Sequence, residues 1–396
     1  MYPKLKMLAV PLTVAGILMA APLARADIKE MKLIHIGDIH GHLVERPNVR
    51  SDGNGLLEGG LARMYTAIKN ERSNSKGSLL INTGDTLQGS GEALFTSGQA
   101  MVDVLNNFDI NAYTPGTWDF LYGTDRFLEL FVGVNGQTPK APWGMLAANL
   151  YYNADNPAYA ARAGQRVGNA YTIKYINGIK VGIFGLTTQR GPQVVGNVTK
   201  GFTLTDGKAE VPEMIALLRT THNCDVVIMI SELELARNIA LTEANPGVDF
   251  VFSSDMHEET RKPIVTKGGT VLVEEGQDGT MIGAMEVEVD TNTHKIQEWS
   301  WKPITINTSI PKNPAIDTLV TTVRKPFLSG SSFAGASMTS PINNGTWTAP
   351  DGTVHASRYT YRTPRSAPMP SLVTGSAPIL PPSTVAITAP AVRWDP

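Results

Sequence analysis

The sequence predicts an α/β fold of two packed β-sheets covered by helices. Three observations predict it. Short apolar runs of strand length alternate with stretches of helical spacing through much of the chain. Strand-like runs then follow one another without helices, and ionisable residues recur at the carboxyl ends of the runs. Early alternation followed by a meander is the pattern of layered α/β proteins.

Taken in order, "KLIHIGDIH" is an apolar strand that ends in polar residues. "GGLARMYTAIKNERSN" sets apolar residues at helical spacing behind a glycine pair. "GSLLINTGD" is a second buried strand and "QAMVDVLNNF" a helix. In "YTIKYINGIKVGIFGLTT" two strands flank Asn177-Gly178, a dipeptide that accepts the left-handed backbone of a tight hairpin turn. "VPEMIALLRTTHN" is an amphipathic helix and "DVVIMISE" a strand. "VDFVFSSDMHEE", "TVLVEEGQDG" and "AMEVEVDTNTHKIQEWSW" are further strands, the last with a polar turn, and "DTLVTTVRKPFL" is helix-like.

The flanks read differently. Residues 1–26 carry Lys4 and Lys6, an apolar run from Met7 and the small-residue triplet Ala24-Arg25-Ala26. That is the layout of a cleavable export signal, and Pro11, Pro22 and the short run argue against a membrane anchor. The chain is therefore expected in the periplasm or secreted, with no membrane span after cleavage. A globular unit is expected over 27–306 and a connecting segment over 307–340. In the tail, 341–396, ten of the 26 prolines fall among Ser, Thr and Ala without periodicity, a composition that cannot bury a core and is expected to be disordered. The net charge of −2 over 396 residues argues for neither nucleic acid nor an anionic membrane surface as partner. The single cysteine, Cys224, excludes a disulfide within the chain and, just before an apolar run, reads as a small core residue.

Asp38 and His40 end the first strand, Asp85 the second, Glu232 ends "VVIMISE", and Asp255 and His257 end "DFVFSSDMH". Ligands of α/β proteins gather at the carboxyl ends of strands. Four carboxylates on one rim repel strongly unless a cation sits among them or some are protonated. A metal centre is the economical reading.

The motifs "GDIHGH", "EGGLARMYTAIK", "NTGDTLQG", "GTWDF", "ISELELARN" and "SSDMHEE" follow one another in this order. In this order the sequence resembles the calcineurin-like metallophosphoesterases, in particular their secreted 5'-nucleotidase branch, from about Met31 to about Ile306. The resemblance implies a four-layer α/β/β/α fold and two divalent metal ions that hold a phosphate ester and an attacking hydroxide. Asp38, His40, Asp85 and His257 match family ligands as they stand, with Asp85 in the bridging role. Glu232 stands where the family has a lone His, and Asp255 where it has the first His of G-H-x-H; both retain ligand oxygens. Thr117 replaces the ligand Asn, and Trp118 replaces the family's catalytic His. One site would then be mixed (Asp38, His40, His257, Asp85). The other would be nearly all oxygen (Asp85, Glu232, Asp255 and Thr117). Manganese fits both, with Mg, Ca, Zn or Fe as further candidates.

With Trp118 unable to move a proton, His42 is the candidate general acid, set against a plain solvated loop histidine. Asp119 is the remaining acid of the motif and more naturally orients the loop. Trp118 either lines a substrate pocket or packs in the core. "GTWDF" is also similar to a pattern of the periplasmic thiosulfohydrolases of sulfur oxidation. The second domain that follows in the nucleotidase branch is expected to have no counterpart in the tail. The expected function is a metal-dependent hydrolase of phosphate esters, with a small phosphate ester or nucleotide as substrate. A thiosulfohydrolase-like enzyme and a non-catalytic metal-binding relative are the alternatives.

Overall fold

The structure is a computed structural model that describes residues 27–47, 56–191 and 196–329, together with the short strands Ser332–Phe333, Thr346–Thr348 and Val354–Ala356. The export signal expected over 1–26 and nearly all of the tail lie outside the described residues.

Among the described residues, eleven strands and six helices build the sandwich. The strands are β1 (Ile28–Ile36), β2 (Ser78–Asn82), β3 (Ala112–Tyr113), β4 (Tyr171–Ile176), β5 (Ile179–Leu186), β6 (Val226–Ser231), β7 (Phe250–Ser253), β8 (Ile264–Val265), β9 (Val271–Glu274), β10 (Met281–Asp290) and β11 (Lys295–Thr305). The helices are α1 (Leu61–Ser73), α2 (Gln99–Leu105), α3 (Thr124–Phe131), α4 (Glu210–Ala216), α5 (Leu235–Ala244) and α6 (Pro314–Arg324).

One sheet has the order β11-β10-β1-β2-β3, and the other β8-β9-β7-β6-β5-β4. Both are mixed. In the first, β1 pairs parallel with β2 and antiparallel with β10. In the second, β5, β6, β7 and β9 run parallel between antiparallel edge strands.

Side-chain alternation makes the layers. Leu33 and Ile81 of the first sheet meet Val181, Ile228 and Phe250 of the second in a shared core. The neighbours Ile34 and Leu80 point the other way, onto Ile68 of α1, Val104 of α2, Phe127 of α3 and Val320 of α6. In the second sheet Phe184, Val227 and Met229 pack beneath Met214 of α4 and Leu241 of α5. Strands buried on both faces must be apolar at every position, which is why "VVIMIS" shows no alternation. The fold is the α/β/β/α sandwich that the resemblance implied. Among the described residues no helix is long and apolar enough to cross a membrane.

Two elements differ locally from the expectation. The helix expected over "VPEMIALLRTTHN" is α-helical only to Ala216, and Leu217–Thr221 widens into a π turn. Helix α3 was not anticipated, although Phe127, Leu128, Leu130 and Phe131 give it a strong apolar face. Cys224 is buried in the α4-side core, as expected of a small apolar residue.

Candidate metal centre

The two sheets end on one rim. Past the strand ends the loops keep pairing: the amides of Asp38, His40 and Gly41 donate to the carbonyls of Gly84, Asp85 and Thr86 at 3.0, 2.8 and 3.0 Å. The hydroxyl of Ser254, after β7, donates to the Thr83 carbonyl after β2 at 2.7 Å and ties the sheets together at the rim. Side chains from both sheets are thereby held facing one another.

Five of the expected ligands occupy left-handed backbone: Asp38 (φ 41°), His40 (49°), Asp85 (45°), Asp255 (94°) and His257 (62°). Each such residue costs of order 1–3 kcal/mol and persists only where its surroundings hold it. Their concentration on one rim marks a built site.

The ligand atoms converge. Asp38, His40 and His257 form one group, and Asp38, Asp85 and Glu232 a second, each able to present one atom within 4.8 Å of the others. His40 Nε2 lies 2.9 Å from His257 Nε2, 3.6 Å from Asp38 Oδ1 and 3.8 Å from Asp85 Oδ2. His257 Nε2 is 3.7 Å from Asp38 Oδ1. Asp38 therefore belongs to both groups, while Asp85, expected to bridge, also approaches His40.

The residues fit a cation. Both carboxylate oxygens of Glu232 and Oδ1 of Asp38 are buried without a hydrogen-bond partner. Burial, followed by the charges of Asp85 and Asp255, raises the Glu232 carboxyl well above the usual range. Burial raises Asp85 as well, opposed by His40 and reinforced by Asp38. Asp38 rises through burial and then the charges of Glu275 and Asp255. Carboxylates so placed are ionised together only when positive charge compensates them.

The remaining expected residues are placed as follows. Asp255 belongs to neither group; its amide donates to Asp38 Oδ2 at 3.2 Å, and its own Oδ2 lies 3.2 Å from Arg190 Nη1. Burial, opposed by Arg190, moves the Asp255 carboxyl up to about 6. The Thr117 hydroxyl donates to Thr188 Oγ1 at 2.6 Å. Trp118 is half-buried; its ring packs on the helix-side core and its amide donates to Asp85 Oδ1 at 2.7 Å. Its contact with Asp85 is therefore made by the backbone.

Asp119 is buried and accepts four hydrogen bonds: from the Thr86 and Leu87 amides at 3.0 Å each, from Tyr113 Oη at 2.7 Å and from the Gly116 amide at 2.9 Å. With every lone pair engaged it holds the loop, the role the sequence favoured for it over acting alone. His42 Nδ1 lies 2.9 Å from the Ile39 carbonyl and 3.5 Å from Asp278 Oδ1, and burial holds the ring's pKa down at about 3. It is neutral near pH 7, which argues against His42 as the proton donor.

Sequence reasoning passed over two further groups. Arg190, Glu234 and Arg237 line a cleft that ends on Glu232 and Asp255. Buried His35 Nε2 lies 2.9 Å from both Thr83 Oγ1 and Glu275 Oε2. The strand-end rule that found Asp85 applied equally to the acidic doublet after "TVLV", and would have found Glu275.

Two mixed sheets between helices thus gather aspartates and histidines at their strand ends. The chain is a distant relative of the calcineurin-like metallophosphoesterases and has their fold. It is 23% identical over 293 residues to the endonuclease YhcR of Bacillus subtilis, covering 70% of this chain and 24% of that protein. It is 25% identical over 273 residues to the uncharacterized metallophosphoesterase YunD of the same organism, covering 66% and 51%. To the snake venom 5'-nucleotidase of Naja atra it is 24% identical over 306 residues, covering 72% and 55%. The chain thus spans about a quarter to a half of these relatives' length. No family model matches it. Among solved structures it is similar to the sulfate thiohydrolase SoxB of Thermus thermophilus, with TM-score 0.64 and 17% identity over 75% of this chain and 60% of that one. It is also similar to the calcineurin-like phosphoesterase YfkN of Bacillus subtilis, with TM-score 0.61 and 17% identity over 75% and 97%. At these identities the structural likeness is one of fold.

Proposed function

We propose that this chain is a metal-dependent hydrolase of phosphate esters, nucleotidase-like, that works outside the cytoplasm. One observation carries the reading: Asp38, His40, Asp85, Glu232 and His257 meet on a strained rim, with buried carboxylate oxygens that have no partner among the described residues. Asp38, His40 and His257 would hold one divalent ion, and Asp38, Asp85 and Glu232 a second, with manganese suited to both ligand sets. Such ions supply the positive charge that holds a phosphate and stabilises its transition state, and they acidify water for attack.

The chain's own residues set the rest. Asp119 clamps the 116–120 loop to the Thr86 and Leu87 amides, and the loop in turn offers the Trp118 amide to Asp85. This hydrogen bond fixes the orientation of that carboxylate. Neither Thr117, bonded to Thr188, nor Trp118 can protonate a leaving group. Turnover is therefore expected to favour esters whose leaving group departs without a proton, and rates across aryl phosphates should depend steeply on leaving-group acidity.

Metal analysis of the purified protein, followed by a panel of aryl phosphates, nucleotides and a thiosulfonate, tests the reading. Two divalent ions per chain with phosphate-ester turnover support it. Turnover of the thiosulfonate alone would favour the sulfur-oxidation reading, which the tryptophan of "GTWDF" motivates. Bound metal without any turnover would leave a binding protein.

A further inference from the structure

Beside the metal centre a small cleft opens between the end of β5 and the start of α5. Arg190, Glu234, Arg237, Glu232 and Asp255 are among the residues that line it. Arg190 and Arg237 are both substantially solvent-accessible, with side chains 42% and 37% exposed. Neither is spread over the surface at random. Arg190 donates through Nη2 to the Glu234 carboxylate and through Nη1 approaches Asp255 Oδ2 at 3.2 Å. Arg237 donates through Nη1 to Gln189 Oε1, and its Nε lies 4.0 Å from Glu234 Oε1.

Glu234 is the peculiar member. Its backbone sits at φ 65° and ψ 152°, a conformation that only glycine adopts without strain. A side chain is kept there despite the strain, and its carboxylate faces the two guanidinium groups. Glu234 fixes the positions of the two cations; the lining as a whole sets three carboxylates, Glu232, Glu234 and Asp255, against two guanidinium groups, so the cleft draws an anion only when cations in the centre compensate Glu232. A guanidinium has five donors, so the bonds already made leave N–H groups for an incoming anion.

Resting on the hydrolase reading, we propose that Arg190 and Arg237 form an anion subsite at the mouth of the centre. It receives a second negatively charged group of the substrate, outside the phosphoryl group that is transferred. The substrate class is then a phosphate ester that also carries a carboxylate or another phosphate on its alcohol part. Arg190, already 3.2 Å from a carboxylate at the edge of the centre, is the nearer contact. Arg237 is the outer one.

The experiment compares phosphoglycolate with ethyl phosphate, two small phosphate esters that differ by one carboxylate. Binding to the manganese-loaded full chain is measured by calorimetry, and hydrolysis of each is followed separately. The expected result is about tenfold tighter binding of phosphoglycolate, the effect of a charge-assisted bond that is partly screened. In Arg190→Gln and in Arg237→Gln the ratio of the two dissociation constants falls toward one, further for Arg190→Gln. Equal binding of the two esters by the wild type, no binding of either, or an unchanged ratio in both variants overturns the subsite. If both esters bind with the expected preference and neither is hydrolysed, the hydrolase reading fails and the subsite stands. If both are hydrolysed with no preference, the reverse holds.

Discussion

Gly116→Ala tests the geometry of the centre with one methyl group. Gly116 sits at φ −92° and ψ −179°, a backbone open to any residue, so the substitution brings no conformational strain. The methyl group itself has no room. A Cβ there would stand 2.3 Å from Asp85 Oδ1, 2.4 Å from the Asp85 amide nitrogen and 2.4 Å from Glu232 Oε1. Ordinary contact needs about 3.5 Å, so the loop and two candidate ligands must separate by about 1 Å. Overpacking of this kind costs about 1–3 kcal/mol, and misplacing groups that orient metal ligands weakens metal binding by about 10- to 100-fold. The assay is manganese content after dialysis at graded free metal, alongside Tm with and without metal. Gly123→Ala is the control. Gly123 has φ 87° and nothing within 4 Å of the added carbon, so it brings about 1 kcal/mol of backbone strain and no contact. Gly116→Ala should lose metal affinity, and Gly123→Ala should lose only stability. If Gly116→Ala retains manganese within twofold of the wild type, the close packing of loop and ligands is not what shapes the centre.

Three further outcomes are expected. Glu232→Gln removes an unpartnered buried carboxylate, so the metal-free protein should gain Tm while manganese stoichiometry falls; a variant that keeps full stoichiometry removes Glu232 from the ligands. Glu234→Gly should raise stability by about 1 kcal/mol through relief of its left-handed backbone, measured as denaturant midpoint, and an unchanged or lowered midpoint shows that its ion pairs outweigh the strain. The His35–Glu275 pair predicts a pH profile: burial lowers His35 to about 3 and raises Glu275 well above its usual value. Folding therefore takes a proton from the histidine below about 6.5 and gives one to the glutamate above about 4.5, so the two contributions cancel between those values. His35→Gln should expose the glutamate alone, with stability relative to the wild type falling as pH rises through that window by up to about 1.4 kcal/mol per unit; parallel curves for the two proteins would refute the pair.

The parts that the sequence made legible are those with a local signature. Strands and helices follow from apolar spacing, and Asn177-Gly178 fixes the hairpin between β4 and β5. Asp38, His40, Asp85, Glu232 and His257 were legible because the end of a parallel strand is a defined place, and the structure brings these five together. What stayed hidden depends on partners distant in sequence. Asp255 follows the same strand-end rule, yet Arg190, 65 positions earlier, takes its carboxylate. Thr117 has a hydroxyl at the ligand position, yet Thr188 receives it. The strain at Glu234 is a property of the backbone path, and no residue pattern announces a glutamate in glycine's conformation.

The loop "GTWDF" bears on whether the centre is a relic. Its side chains cannot do the proton transfer that the resemblance implies for that position, but its backbone is fully engaged. Asp119 takes four donors, and the Trp118 amide reaches Asp85. A relic would have no physical reason to retain this, because the arrangement is costly without a cation. It holds Asp38, Asp85 and Glu232 buried and mutually repelling, and several of their neighbours in left-handed backbone. A buried carboxylate without a partner costs free energy that an isosteric amide reduces. A chain that had ceased to bind metal would gain stability from the near-isosteric change of Glu232 to glutamine. Under the proposed reading a cation compensates these carboxylates and strained loops, and Trp118 at the place of the motif histidine changes how the leaving group departs and not how metal is held.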